Sequence, residues 1–160
     1  MVVDETTYGV ASAETIRSYD GLGFLKAMIA GVVPQAPMCE LLGMRLIEAE
    51  DGRAVFEGNP TAEHYNPFGV AHGGLAATML DSALGLAVYS TLPAGGAFTT
   101  LELKVNLVRA ITKDTGPLRA EARVLHRGRT VATADADMKD EAGKLYAHAS
   151  TTCMIFPAQT

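Results

Sequence analysis

The segment between His72 and Thr91 constrains the fold of this chain more than any other feature of its sequence. Its spacing predicts one long helix, in which apolar side chains point in nearly every direction around the axis. These side chains are Leu75, Ala76, Ala77, Met79, Leu80, Ala83, Leu84, Leu86, Ala87 and Val88. A helix that is apolar on all sides must be enclosed.

Strand patterns lie on both sides of this predicted helix. Asp51-Gly52 is a two-residue hairpin signal between two short strand patterns. The predicted strands cover residues 44–50, 53–58, 99–108, 118–126, 129–138 and 144–156. A hairpin, one dominant helix and a run of antiparallel strands form an α+β pattern. We expect a curved antiparallel sheet that wraps one long central helix.

The 160 residues are enough for a single hydrophobic core. Residues 1–37 are interpreted as an N-terminal arm with a covering helix near residues 19–29, which ends before Gly31 and Pro34. Residues 38–160 are interpreted as the main domain. The chain is 48% hydrophobic and only 19% charged, a composition that favours an oligomer.

Charge and cysteine content limit the possible functions. The net charge of -5 provides no basic surface for nucleic acid. Cys39 and Cys153 are too few for a disulfide framework, so we expect free thiols in a reducing cytoplasm. The N-terminus lacks the basic and apolar regions of a signal peptide. The apolar segment contains His72 and Asp81 and has no flanking anchors, so we expect a buried helix and not a membrane span.

Asp81 is the only charged residue of the apolar helix. A buried carboxylate requires a partner or takes up a proton, because removing the charge from water costs several kcal/mol. Buried carboxylates are common at catalytic sites. A structural role, with Thr78, Ser82 or a backbone amide as partner, explains the residue equally well.

The helix begins with Gly73-Gly74, directly after His72. The first turn of a helix offers unpaired N–H groups at the positive end of its dipole, and glycine lets a ligand approach them. A thioester carbonyl oxygen bound to the Gly73 amide would be stabilised as it gains negative charge. The alternative is that the glycines only permit a tight helix start, with His72 as its cap.

Gly73 and Asp81 are eight residues apart, about 12 Å along a helix. One carbonyl group cannot contact both residues of the same helix. If both act on one bond, they come from two copies of the chain, which predicts a homodimer with sites at the subunit interface.

Asn66-Pro-Phe-Gly-Val-Ala-His-Gly-Gly74, followed by Asp81, resembles the signature of the hotdog-fold acyl-CoA thioesterases of the phenylacetate-degradation type. Residues 99–109 are similar to the next strand of that family, and the similarity covers about residues 38–157. The resemblance implies a hotdog fold whose sheets join edge to edge in a dimer, often paired into a tetramer.

The resemblance also implies roles for single residues. Gly73 would supply the oxyanion-hole amide, and Asp81 of the other subunit would act as nucleophile or as general base for water. Asn66 and His72 would orient the thioester or the water. Thr99 stands where the family often has a hydroxyl group near the carboxylate.

Residues 126–130 resemble the turn that often lines the coenzyme A path in this family. Arg127, Gly128, Arg129 and Thr130 would approach the phosphates or the pantetheine arm, since coenzyme A is strongly anionic. Coenzyme A belongs to the substrate, and neither a cofactor nor a metal ion is implied.

The expected function is hydrolysis of aryl- or medium-chain acyl-CoA thioesters in the cytoplasm. Three alternatives remain open: a hotdog hydratase or dehydratase that uses His72 with Asp81, a non-catalytic module that binds or senses acyl-CoA, and a purely structural oligomer.

Overall fold

The computed structural model describes residues 6–158, and six strands and four α-helices form one body. The part of the predicted N-terminal arm that precedes Thr6 lies outside these residues. The elements are α1 (Ala13–Ser18), α2 (Gly21–Ile29), α3 (Pro37–Leu42), β1 (Met44–Glu50), β2 (Arg53–Gly58), α4 (Gly73–Tyr89), β3 (Ala97–Leu107), β4 (Leu118–Arg127), β5 (Val131–Asp140) and β6 (Leu145–Phe156). A short 3-10 helix covers Ala62–His64.

The six strands form one sheet in the order β1-β2-β4-β5-β6-β3, and every neighbouring pair is antiparallel. Helix α4 packs against all six strands. The predicted α+β architecture, with an antiparallel sheet around one long helix, is therefore confirmed. Each predicted strand is present with bounds within two residues of the expected ones. Among the described residues, no helix combines the length and the apolar character that crossing a membrane requires.

Small side chains let the sheet approach α4 closely. The positions of β2, β4, β5 and β6 that face the helix are largely alanine, and all are buried: Ala54, Ala120, Ala122, Ala132, Ala134, Ala136, Ala147 and Ala149. Register shifts in β1, β3 and β4 add local bends. Close packing without voids is what stabilises a core of this kind.

Within one chain, α4 is enclosed except along one stripe of the helix. Ala77, Thr78, Asp81 and Ser82 are only half-buried, whereas the opposite face is fully covered. The physical reason is geometric, because one curved sheet covers one side of a cylinder. The half-buried stripe is the part of α4 that a single chain leaves open.

The segment before β1 covers one edge of the sheet. The buried side chain of Gln35 accepts a hydrogen bond from the Leu46 N–H at 3.0 Å and donates one to the Leu46 carbonyl at 3.1 Å. It thereby replaces a neighbouring strand at the centre of β1. Helix α2 also packs against β1, and its Phe24 contacts Tyr89 of α4 edge to face at 5.8 Å.

The other edge of the sheet, formed by β3, is open. Within residues 6–158 this eleven-residue strand pairs only with β6. Leu101 and Leu107 on β3 are 52% and 58% exposed. An edge strand of this length with exposed apolar side chains is a template for pairing with another chain.

The covering of β1 can be tested by replacing Gln35 with methionine. The variant keeps the volume of the side chain but leaves the N–H and the carbonyl of Leu46 buried and unpaired, at a cost of about 1–3 kcal/mol each. We expect the free energy of unfolding, measured by urea denaturation, to fall by at least about 2 kcal/mol. A change below about 0.5 kcal/mol would show that Gln35 does not hold the edge.

Candidate active site

The first turn of α4 leaves one backbone donor free. Nδ1 of His72, the N-cap residue, accepts a hydrogen bond from the Gly74 N–H at 2.9 Å. The His72 N–H donates to the His64 carbonyl at 2.7 Å. Within residues 6–158 the Gly73 N–H has no partner. The free donor therefore lies at the positive end of the helix, where it can bind an oxygen that gains negative charge.

Asn66 and His72 present their remaining donors beside this amide. Asn66 Oδ1 is occupied, because it accepts a hydrogen bond from the Phe68 N–H at 2.9 Å. Its Nδ2 and the Nε2 of His72 remain as donors. Asn66, His72 and Gly73 line one cleft of about 280 Å³. The structure thus brings these three predicted residues together.

The far end of β3 closes this cleft. A Cβ atom on Gly73 would lie 2.6 Å from Cδ1 of Leu107, so Leu107 packs directly against the glycine. Glycine at this position therefore serves a close contact as well as access to the backbone. This contact places the Gly73 amide beside Leu107, at the end of the open edge strand β3.

Asp81 lies beside the opposite end of β3. Its Oδ1 accepts a hydrogen bond from the Thr100 hydroxyl at 3.1 Å. Ser82 donates to the Thr78 carbonyl at 2.8 Å and does not bind the carboxylate. Asp81 is half-buried, which leaves part of the carboxylate accessible. The partner thus comes from the sheet and not from the helix.

Within one chain, the structure does not bring Thr99 close to the Asp81 carboxylate. Successive side chains of a strand point to opposite faces. Phe98 and Thr100 face α4, whereas Thr99 is exposed on the outer face. The nearby hydroxyl group of the site therefore belongs to Thr100.

Apolar groups and a thiol surround the Asp81–Thr100 pair. The ring of Phe98 lies against the helix at Gly85, where a Cβ atom would approach its Cε2 within 2.8 Å. Cys153 is fully buried opposite Thr100 on β6. Burial raises the pKa of the Cys153 thiol, and the charge of Asp81 adds to this increase. A fully buried thiol of this kind is inert as a nucleophile.

The turn between β4 and β5 forms a second cleft, of about 360 Å³. Arg127, Gly128 and Arg129 line it, together with the loop between α4 and β3 and the end of β6. Neither arginine has an ion-pair partner in the described part of the chain. Thr130 is exposed, and its carbonyl accepts a hydrogen bond from the Ile155 N–H at 2.9 Å. Two cations are available there to an anionic ligand.

One chain does not bring Gly73 and Asp81 into the same cleft. The cleft at the helix start is lined by Gly73 and Leu107 but not by Asp81. The eight-residue separation along α4 corresponds to about 12 Å. Each chain therefore carries two separate half-sites, a cluster of donors at the helix start and a carboxylate in the middle of the helix.

Two residues escaped the sequence analysis. Thr100 was missed because an adjacent threonine gives the same local signal. The guanidinium of Arg109 lies 5.8 Å from the ring centroid of Tyr146 and lines the cleft at the helix start. Arg109 lies two residues after β3, and its local sequence does not distinguish it from an ordinary surface arginine.

The family model of the thioesterase superfamily matches residues 68–147, half of the chain. The chain belongs to the thioesterase superfamily. The match includes Gly73, Asp81, Thr100 and Arg127–Thr130. The antiparallel sheet around α4 is the hotdog fold that the sequence predicted.

Relatives and solved structures agree with this assignment. Human acyl-coenzyme A thioesterase 13 is 30% identical over 108 residues, 67% of this chain and 76% of its own. The 1,4-dihydroxy-2-naphthoyl-CoA hydrolase of Listeria monocytogenes is 26% identical over 106 residues, 66% of this chain and 85% of its own. A phenylacetic acid degradation-related protein from Ralstonia eutropha JMP134 is 30% identical and superposes with a TM-score of 0.74, over 82% of this chain and 98% of that one.

The capping role of His72 can be separated from its chemistry by two substitutions. His72→Ala removes the acceptor of the Gly74 N–H and should lower the free energy of unfolding by about 1 kcal/mol. His72→Asn supplies a capping oxygen and should retain most of the stability. Urea denaturation measures both variants. Equal stability of the alanine variant and the wild type would contradict the capping role.

Proposed function

We propose that the chain hydrolyses acyl-CoA thioesters to a free acid and coenzyme A, in sites that two copies of the chain share. One observation carries this proposal. Gly73 packs against Leu107 and Asp81 binds Thr100, so the two half-sites are attached to opposite ends of the same open edge strand.

Antiparallel pairing of β3 with the β3 of a second copy would join the half-sites. A two-fold axis near Leu103 sets Thr100 of one copy opposite Leu107 of the other. The Gly73 amide of one chain then approaches the Asp81 carboxylate of its partner. The same pairing covers Leu101 and the half-buried stripe of α4. As the family resemblance implies, two such dimers would associate into a tetramer.

The chemistry follows from the charges of the combined site. The thioester carbonyl oxygen accepts a hydrogen bond from the Gly73 N–H, with Asn66 Nδ2 and His72 Nε2 as nearby donors. Asp81 of the partner either attacks the carbonyl carbon or removes a proton from the attacking water. The tetrahedral oxyanion then collapses and releases the coenzyme A thiolate. Direct attack leaves an anhydride between the acyl group and Asp81, which water hydrolyses to the free acid. Attack by water gives the free acid directly and leaves a proton on Asp81, which passes to the thiolate.

Coenzyme A as the leaving group is supported by the charge distribution. Arg127 and Arg129 are exposed without ion-pair partners in the described residues, and phosphate groups favour such sites. The names of two relatives refer to acyl-coenzyme A substrates. The free thiols of Cys39 and Cys153 agree with a reducing compartment such as the cytoplasm.

The carboxylate is tested by Asp81→Asn, with Asp137→Asn on the outer face of the sheet as the matched control. Release of free thiol from aryl- and alkyl-CoA thioesters should fall at least about 100-fold in the first variant. The control should stay within about 2-fold of the wild type. Undiminished turnover of Asp81→Asn would remove Asp81 from the mechanism.

The same measurement distinguishes the alternative functions. A wild type that binds acyl-CoA by calorimetry but releases no thiol would be a binding or sensing module. Addition or loss of water at the acyl chain, with the thioester intact, would indicate a hydratase or dehydratase.

The shared site is tested by complementation between two inactive variants. Asp81→Asn keeps the Gly73 amide, whereas Gly73→Val keeps the carboxylate but blocks the cleft against Leu107. A dimer containing one copy of each variant has one intact site, so heterodimers purified through two different tags should recover about half of the wild-type turnover.

Each variant alone should be inactive, and the heterodimer should be as stable as its parents. If Gly73 and Asp81 acted from the same chain, the heterodimer would have no intact site. An inactive, folded heterodimer would therefore contradict the shared site while leaving hydrolysis by the wild type unaffected.

A further inference from the structure

An irregularity in β3 decides which residues of the strand point their side chains towards α4, and Thr100 lies next to it. The register of β3 against β6 shifts between Thr100 and Glu102, so Leu101 is an additional residue on the β3 side. Phe98 and Thr100 face α4 before the shift, and Leu103 faces it afterwards. Without the additional residue, the alternation of the strand would turn Glu102 inward. The bulge therefore lets Thr100 and the apolar second half of β3 share one face.

A buried hydroxyl of β6 holds this bulge. Thr151 is 3% exposed, and its hydroxyl donates a hydrogen bond to the Glu102 carbonyl at 2.7 Å. The Cα partner of Thr151 is Leu103, so the side chain reaches back to the irregular position. The Glu102 carbonyl at the irregular position therefore has a side-chain donor on β6.

Thr151 is also linked to Thr100 through Cys153. Cys153 is the Cα partner of Thr100, and its sulfur lies 3.9 Å from the Thr151 hydroxyl. Both Thr100 and Thr151 lie close enough to the Cys153 thiol to affect its pKa. The three side chains and Asp81 thus form one contiguous group between the sheet and α4.

We propose that Thr151 is a positioning residue of the active site, whose hydroxyl holds the β3 bulge that aims Thr100 at Asp81. This inference rests on the proposed hydrolase function. Bulges beside active sites commonly redirect a side chain, and in this chain the redirected side chain is the hydrogen-bond donor to the carboxylate. Thr151 itself lies behind the site and does not contact the substrate.

Kinetics of valine variants test the proposal. Thr151→Val removes the hydroxyl at nearly constant volume, and we expect kcat to fall about 10-fold with KM changed by less than about 2-fold. Thr151→Ser restores the hydroxyl and should recover most of kcat. Thr152→Val removes a neighbouring hydroxyl of β6 from the other face and should leave kcat unchanged.

A double variant separates positioning from a general structural effect. If Thr151 acts through Thr100, the Thr100→Val, Thr151→Val variant is no slower than Thr100→Val alone. If the decrease of kcat in the double variant equalled the product of the decreases in the two single variants, the proposal would be overturned. Loss of kcat in the serine variant equal to that in the valine variant would also overturn it.

An NMR measurement tests the bulge independently of activity. Thr151→Val should shift the amide resonances of Leu101 and Glu102 and the carboxyl resonance of Asp81. Thr152→Val should leave the carboxyl resonance of Asp81 unchanged. Unchanged resonances in Thr151→Val would overturn the positioning role. If the wild type hydrolyses no thioester, the proposed function fails, but these resonances still decide whether Thr151 positions Thr100 on Asp81.

Discussion

The close approach between α4 and the alanine-lined face of the sheet is the constraint on which the rest of the structure depends. Larger side chains at the inner positions of β4, β5 and β6 would push the helix away from the strands, and its polar groups would lose their partners. With alanine at these positions, the helix lies near enough for a β3 hydroxyl to reach Asp81. The packing of the core and the geometry of the carboxylate are therefore parts of one arrangement.

The same packing keeps the carboxylate and the hydrogen-bond donors of the candidate site apart within one chain. The sheet surrounds one face of α4 and leaves a polar stripe half-buried, and this stripe carries Asp81. The donors at the helix start lie two turns away, beside Leu107. A site that needs both groups is incomplete in one chain, although each half is already ordered by contacts within that chain. Association of two chains would then need to bring the half-sites together without ordering the side chains of either one.

The elements of the fold could be predicted from the sequence because their periodicities are local. The alternation of residues 118–126 and the Asp51-Gly52 hairpin signal specify their strands without knowledge of the partner strands. The donors at the helix start could be predicted for the same reason, since Asn66, His72 and Gly73 are close in sequence.

The structure differs from the sequence-based expectations, or adds to them, at features that depend on distant residues. The choice between Thr99 and Thr100 depends on the phase of β3, which β6 fixes through the register shift and the Thr151 contact. The complete enclosure of α4 was expected from its composition, but the width of the sheet decides how much of the helix is covered. The role of Gln35 depends on Leu46, a partner that no local pattern identifies.

The Gln35 contact also limits how many copies can join. A sheet with two open edges can add a new chain at each end, and repeated addition produces a continuous ribbon without a defined size. In this chain the side chain of Gln35 occupies one edge, so among the described strands β3 alone keeps an open edge for strand addition. In the proposed dimer neither copy would have an edge left, and growth by strand addition would end at two. The buried amide of Gln35 would thus favour a closed assembly over a fibre.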